Sequence, residues 1–256
     1  MYLGLFFWGL DQGAEVLALG ADVVATLPTD ASVMIAGLNA PPAPFVPERF
    51  HSMPGYALVV VGFGTEAEHA ATVARVRTSL PPLFDFVTPM PYVQLQQMLD
   101  ETYRWGLHCY EKGLYLGGLS DEAIAVVTEH QPRKRSPLSA LLMMSLGAGY
   151  GAGGDDDTAF GGSRAARLGV YVMAVADNPK QLSADRIWVR SVWEALLPYA
   201  LGSGSYVNTM VEFAEDRVRA SYEPAKYERL ARIKARYDPD NVFHLNANIK
   251  PAMQPI

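Results

Sequence analysis

Few stretches of this 256-residue chain carry residue types spaced for chemistry, and the most obvious one fails on its neighbours. Gly149-Tyr150-Gly151-Ala152-Gly153-Gly154 has the lettering G-x-G-x-x-G of a dinucleotide fingerprint. That motif works when its glycines open a helix whose N-terminal amides hold a pyrophosphate. Asp155, Asp156 and Asp157 come next and would repel phosphate, and no amphipathic helix follows, so the stretch reads as a flexible loop. His51, His69, His108, His130 and His244 form no i, i+4 pair and have no accompanying cysteine set, so zinc-type spacing is absent. No serine sits in a nucleophile elbow. Cys109 is the single cysteine; it cannot form an intrachain disulfide, implies no oxidising compartment, and is expected as a small core residue.

Three places keep their chemical interest. In Gly202-Ser203-Gly204-Ser205-Tyr206-Val207-Asn208 the small residues would let backbone approach a flat ligand, with Tyr206 and Asn208 on one side of an extended segment. The other reading is a loop tyrosine capped by its own asparagine, and both stay open. In Thr158-Ala159-Phe160-Gly161-Gly162-Ser163-Arg164, followed by Tyr171 on a strand, Arg164 is either a surface ion pair or a ligand contact. Glu111 and Lys112, flanked by Trp105, His108, Tyr110 and Tyr115, are expected as a buried ion pair inside a strand.

These residues need elements to hold them. The opening ten residues are aromatic and branched, without a basic leader, and too short to span a bilayer, which predicts a buried strand. A chain that starts inside a strand suggests that polypeptide precedes Met1. Asp11 is expected to cap a helix whose Val16, Leu17, Gly20, Val23, Val24 and Leu27 face a core. Strands are predicted at 32–38, 57–63, 83–88, 107–116, 139–146 and 168–176, the second a continuous apolar run suited to a central position. Helices are predicted at 66–79, from Pro91 to Glu101, from Ser120 to Glu129, and at 182–197, with 131–136 a solvated basic turn. Strict β-α-β alternation is missing, so the fold class is α+β: a mostly antiparallel sheet of about seven strands with helices on one face. The formal charge of −6 argues against nucleic acid as the main partner. No membrane span is expected; a cytoplasmic setting is, and a homo-oligomer is admissible.

The last fifty residues add a pattern. Residues 222–237 form an amphipathic helix with Tyr227, Leu230 and Tyr237 near one face and its basic residues toward the C-terminal end. Asp238-Pro239 stops it, and residues 241–249 return as an extended tail. Tyr206-x-Asn208, then Leu230, Lys234, Tyr237, Asp238, Pro239, Asn241 and Phe243, then Asn246 and Ile249, resemble the closing signature of the berberine-bridge-enzyme-like FAD-linked oxidoreductases. Thr158, Ala159, Phe160 and Arg164 belong to the same resemblance, which extends over essentially the whole chain.

The resemblance implies a substrate-binding domain at residues 1–201, its sheet lying over a flavin, and a segment at 202–256 that completes the flavin site. It implies FAD as cofactor, Asn208, Tyr206 and Asn246 as cofactor contacts, and Tyr206 as a possible base; beside it Tyr171 is a second catalytic candidate, and Arg164 and Tyr110 are candidate substrate contacts. An alcohol or sugar-like natural product would lose a hydride to flavin while a side chain takes the hydroxyl proton. A tyrosine of ordinary pKa, about 10, needs a neighbour to lower it, and Tyr171 and Arg164 are the candidates. Two departures count. Thr209 stands where the family usually has a second tyrosine. The FAD-binding half, with its flavin-tethering His and Cys and its pyrophosphate loops, is expected to be missing or separately encoded, and Cys109 does not replace that cysteine. A non-catalytic α+β binding module, or an inactive truncated product, is the alternative.

Overall fold

The apolar runs pair side by side because each, on its own, would leave a row of backbone N–H and C=O groups unsatisfied. A computed structural model describes residues 1–98, 100, 104–154, 157–202, 204–212 and 215–253. Glu101, Asp155, Asp156 and Ser203, all used in the reading above, lie outside the described residues. In chain order the elements begin with β1 (Tyr2–Gly9), α1 (Gly13–Ala25), β2 (Ala31–Asn39), β3 (Pro54–Gly62) and α2 (Glu66–Ser79). They continue with β4 (Phe84–Pro89), α3 (Tyr92–Gln97), β5 (His108–Leu116), α4 (Asp121–His130) and β6 (Ala140–Ser145). A four-residue turn of helix, α5 (Ala148–Gly151), leads to β7 (Leu168–Ala176) and α6 (Pro179–Leu196), then α7 (Glu215–Ala220) and α8 (Pro224–Tyr237).

The seven strands make one sheet in the order β4-β1-β3-β2-β6-β7-β5. Each neighbouring pair is antiparallel. The architecture is the α+β layer expected. One face carries the main core: Phe6, Leu58, Ile35 and Val170 pack beneath α1, α2, α4 and α6, with Trp188 and Val189 of α6 among the buried residues. Each such side chain contributes about 1.5–3 kcal/mol when buried. The other face is covered more thinly. There Phe7 stacks on Phe84 at 5.2 Å and Phe84 on Phe50 at 5.2 Å, under the segment that also brings Val46.

Local signals explain most boundaries. Thr65 and Glu68 form a reciprocal capping box on α2, Ser120 caps α4, and Asn178 caps α6 through Gln181 N at 2.9 Å. Asp11 does not cap α1; it lies in a single 3-10 turn, and the helix begins after Gln12. Pro91 sits just before α3, which ends at Gln97. In α8 the buried face is Lys226, Tyr227 and Ala231, while Tyr237 is 74% exposed, because the helix meets the body along its first two turns. Cys109 is exposed and not a core residue, since β5 is an edge strand.

The 131–136 turn is more than a solvated loop. Asp185 of α6 is buried and accepts from Arg135 N (2.8 Å), Ser136 N (2.9 Å) and Ser139 Oγ (2.6 Å). Lys134 folds inward and donates to Asn39 Oδ1 and to Ser136 O, and burial lowers its pKa to about 8, against the opposing pull of Asp185.

Candidate active site

Strand alternation sorts the residues of β5. Tyr110, Lys112 and Leu114 point into the helix layer, whereas Glu111, Gly113 and Tyr115 point to the other face. The register sets Tyr171 opposite Gly113 and Gly169 opposite Tyr115 on that second face. Tyr171 leans along its strand: a Cβ on Gly169 would meet its hydroxyl oxygen at 3.2 Å. Gly113 serves in the same way, because a Cβ there would sit 2.8 Å from Ser205 Oγ. The bare strand lets the segment after Gly204 lie directly on the sheet edge.

Tyr206 arrives on that segment. Residues 207–209 form a 3-10 turn, not the extended run expected, with Thr209 N and Thr209 Oγ1 donating to Tyr206 O at 3.0 and 2.8 Å. The turn still brings the pair together, for Asn208 Nδ2 donates to Tyr206 Oη at 2.7 Å and Asn208 is exposed. The tyrosine is thus capped by its asparagine and also presents an amide edge outward. Phe160 packs on Tyr206 with ring centroids 5.7 Å apart, and the Arg164 guanidinium lies 5.2 Å from the Phe160 centroid. Arg164 also donates to Tyr150 O at 2.9 Å and Thr158 Oγ1 at 2.8 Å, so it ties Tyr150 and Thr158 to its own segment. Lys226 of α8 is buried and donates to Phe160 O at 2.6 Å, fastening this loop to the C-terminal helix.

The electrostatics follow from burial. Tyr171 has its pKa raised by burial, then by Tyr206 and Glu111 nearby. Tyr115 is raised as well, by burial first and then by Tyr150, Tyr171 and Tyr206. Tyr206 thus works against ionisation of Tyr171, because a negative charge on one phenol disfavours it on its neighbour. Glu111 is pushed up by burial and does not pair with Lys112, since consecutive strand residues project to opposite faces. Lys112 instead meets Glu212 at 3.1 Å.

Tyr110 is not brought to the tyrosine cluster. It is buried on the helix side, where its hydroxyl donates to Glu212 Oε1 at 3.1 Å and accepts from Arg190 Nε at 3.0 Å. Arg190 Nη2 reaches Glu212 at 2.6 Å, so Glu212 ties the C-terminal segment to β5 and α6. Burial would raise the Glu212 carboxyl, but hydrogen bonds from Lys112 and Arg190 outweigh it and bring it to about 2. Asn246 lies in the exposed tail, in a left-handed conformation (φ 59°), its carbonyl accepting from Asn248 N. No hydrogen bond joins it to Tyr206 or Asn208. Sequence reasoning did not single out Lys226 or Glu212, and it met Tyr115 only as a flank of Glu111-Lys112 and Tyr150 only inside the glycine-rich stretch; alternation with Glu111 is the signal that puts Tyr115 on the same face.

The Tyr206–Asn208 edge, next to Gly204, suits one side of a flat ring system such as flavin. The glycine-rich stretch does not suit its pyrophosphate. α5 spans four residues, and Gly154 N already donates to Asp157 Oδ2 at 2.7 Å. Gly62-Phe63-Gly64 and Gly117-Gly118 lead into α2 and α4, but Thr65 and Ser120 already cap those helices and their first turns carry Glu66, Glu68, Asp121 and Glu122, which would repel phosphate.

Comparison with known proteins gives a consistent result. The family model described as berberine and berberine like matches residues 205–250. An FAD-linked oxidoreductase of Dictyostelium discoideum is 23% identical over 254 residues, 98% of this chain and 52% of that protein. The berberine bridge enzyme from Eschscholzia californica shares the fold at 17% identity and a TM-score of 0.76, covering 100% of this chain and 56% of that one. Phl p 4, a grass pollen allergen with glucose dehydrogenase activity, shares it at 14% identity and a TM-score of 0.74, covering 99% and 55%. The chain spans about half the length of the curated relative it matches along its whole length. The resemblance carried by Tyr206, Asn208 and the Asp238-Pro239 turn holds: the chain is similar to the C-terminal, substrate-side portion of the berberine-bridge-enzyme-like oxidoreductases.

Proposed function

We propose that this chain, being similar to the substrate-side portion of berberine-bridge-enzyme-like flavoproteins, forms the substrate wall of an FAD-dependent oxidoreductase acting on an alcohol. Residues 1–201 are read as the substrate domain and 202–256 as the segment that meets an FAD-binding domain. FAD, when bound, supplies the hydride acceptor. Tyr206, acting as its phenolate, takes the hydroxyl proton and becomes a neutral phenol; the Asn208 N–H holds the phenolate oxygen before that transfer. Tyr171, kept protonated by burial, donates to the substrate oxygen and orients it. Arg164, through Phe160, fixes the ring of Tyr206. Asn246 is a cofactor contact only if the exposed tail closes over the ring.

The observation that carries this reading is the Tyr206–Asn208 pair, hydrogen-bonded and outward-facing beside a phenol-lined sheet face, inside the segment matched by the family model. The test supplies an FAD-binding domain and follows bleaching of the flavin on rapid mixing with substrate. Tyr206→Phe should slow reduction by about a hundredfold to ten-thousandfold with FAD binding little changed. Asn208→Ala should weaken FAD retention too. Reduction of flavin by Tyr206→Phe at the parental rate would remove Tyr206 from the proton role.

A further inference from the structure

The tyrosines share their face of the sheet with a cavity of about 360 Å³, over β1, β3 and β2 and roofed by α3 and residues 40–46. Its walls are hydrocarbon. Leu5, Phe7, Met34, Phe45, Val59 and Met144 line it, and only Ser32, Gln96 and Ser145 of the lining residues have polar side chains. Ser145 Oγ is already engaged, accepting from Val33 N at 2.8 Å. The cavity reaches the tyrosine cluster through Met144. That residue pairs across β6 and β7 with Gly169, and the Tyr171 hydroxyl lies over Gly169. An apolar chamber, open to solvent beside the 40% exposed Met144 and with one phenol at its margin, is the usual form of a small-molecule site, and its volume is on that scale.

We infer that the alcohol bound here is carried on an aromatic or aliphatic hydrocarbon body that fills this cavity, with the hydroxyl-bearing carbon presented at Tyr171, and is not a free sugar. That the alcohol is oxidised rests on the function proposed above; that it binds does not. The physical ground is the mismatch between sugar and wall. Each sugar hydroxyl moved out of water with no partner weakens binding by roughly tenfold or more. Each methylene moved into the cavity strengthens it by about fourfold.

The experiment uses the chain alone, with its methionine methyls labelled for NMR, and primary alcohols from n-butanol to n-octanol, benzyl alcohol and glucose as probes. The Met34 and Met144 methyls should shift with the alcohols, and the dissociation constant should fall by about fourfold per methylene until the chamber is full. Glucose at equal concentration should leave both unchanged. Ala57→Leu fills the chamber and should weaken n-hexanol by about tenfold or more. Val59→Thr keeps the shape, adds a hydroxyl, and should weaken it by several-fold even if Ala57→Leu fails to fold. Affinity independent of chain length, glucose moving the same methyls as strongly, or shifts confined to methionines away from the cavity would each overturn the inference. So would Met34 and Met144 signals that move with protein concentration alone, which would put a second copy in the chamber. None of these readouts involves flavin. Failure of flavin reduction therefore removes the oxidase function and leaves the binding result standing.

Discussion

Glu111 shows how one side chain can be misjudged from its sequence neighbour. An adjacent Glu-Lys pair looks like an ion pair, yet period-two geometry sends Lys112 to Glu212 and leaves Glu111 on the phenol side. Burial raises its pKa, so the folded state favours its protonated form. The sign follows: a raised folded-state pKa contributes stability below the unfolded value, and that contribution is lost as pH rises through the folded value. Glu111→Gln should therefore melt a few degrees higher than the parent at about pH 7.5, with the difference shrinking toward about pH 4. Equal melting points at neutral pH would show that the carboxylate is comfortably solvated. At this scale the Tyr206–Asn208 pair was legible from the signature around it, although its backbone is a 3-10 turn. The duties of Gly113 and Gly169 were not, because close approach depends on strand register and on what lies above the sheet, neither of which a local window contains.

Elements were legible where a continuous apolar run or a cap marked them. β7 spans 168–176 as read, and Ser120 opens α4 as read. What failed were connections whose role is set by distant partners. Residues 131–136 looked like a solvated basic turn, yet Asp185, about fifty positions on, supplies the acceptor for two of their amides. Asp185→Ala would leave those amides and the Ser139 hydroxyl without their acceptor, in a site where Asp185 itself is 1% exposed. We expect a loss of about 3 kcal/mol in urea unfolding, with the slope unchanged. A loss below about 0.5 kcal/mol would mean that water replaces the carboxylate there. The Glu212 cluster ties the C-terminal segment down in a similar way, but it is partly exposed and solvent screening limits its worth.

At the scale of the whole molecule, α+β layering and an antiparallel sheet could be read from the spacing of runs, while strand order could not, since it is fixed by pairings between distant stretches. Among the described residues no helix is long and apolar enough to cross a membrane. Under the proposed function the chain supplies one wall for a flavin ring, and in its glycine-rich stretch Gly154 N is already taken by Asp157. Titrated alone with FAD it should bind weakly at best, and gel filtration should return it colourless. A stoichiometric flavin spectrum after the column would show that this wall suffices. Strand order has one more consequence. β4, β1, β3 and β2 come from residues 2–89 and β5, β6 and β7 from residues 108–176, and the two sets are joined only where Met34–Gly37 of β2 pairs with Leu141–Met144 of β6. Beside that seam Val33 N meets Ser145 Oγ across 112 positions of chain, the kind of closure whose entropic cost slows folding. Met34 and Met144 face each other across it and both line the apolar chamber, so the chamber has no complete wall until the two halves of the sheet have zipped together.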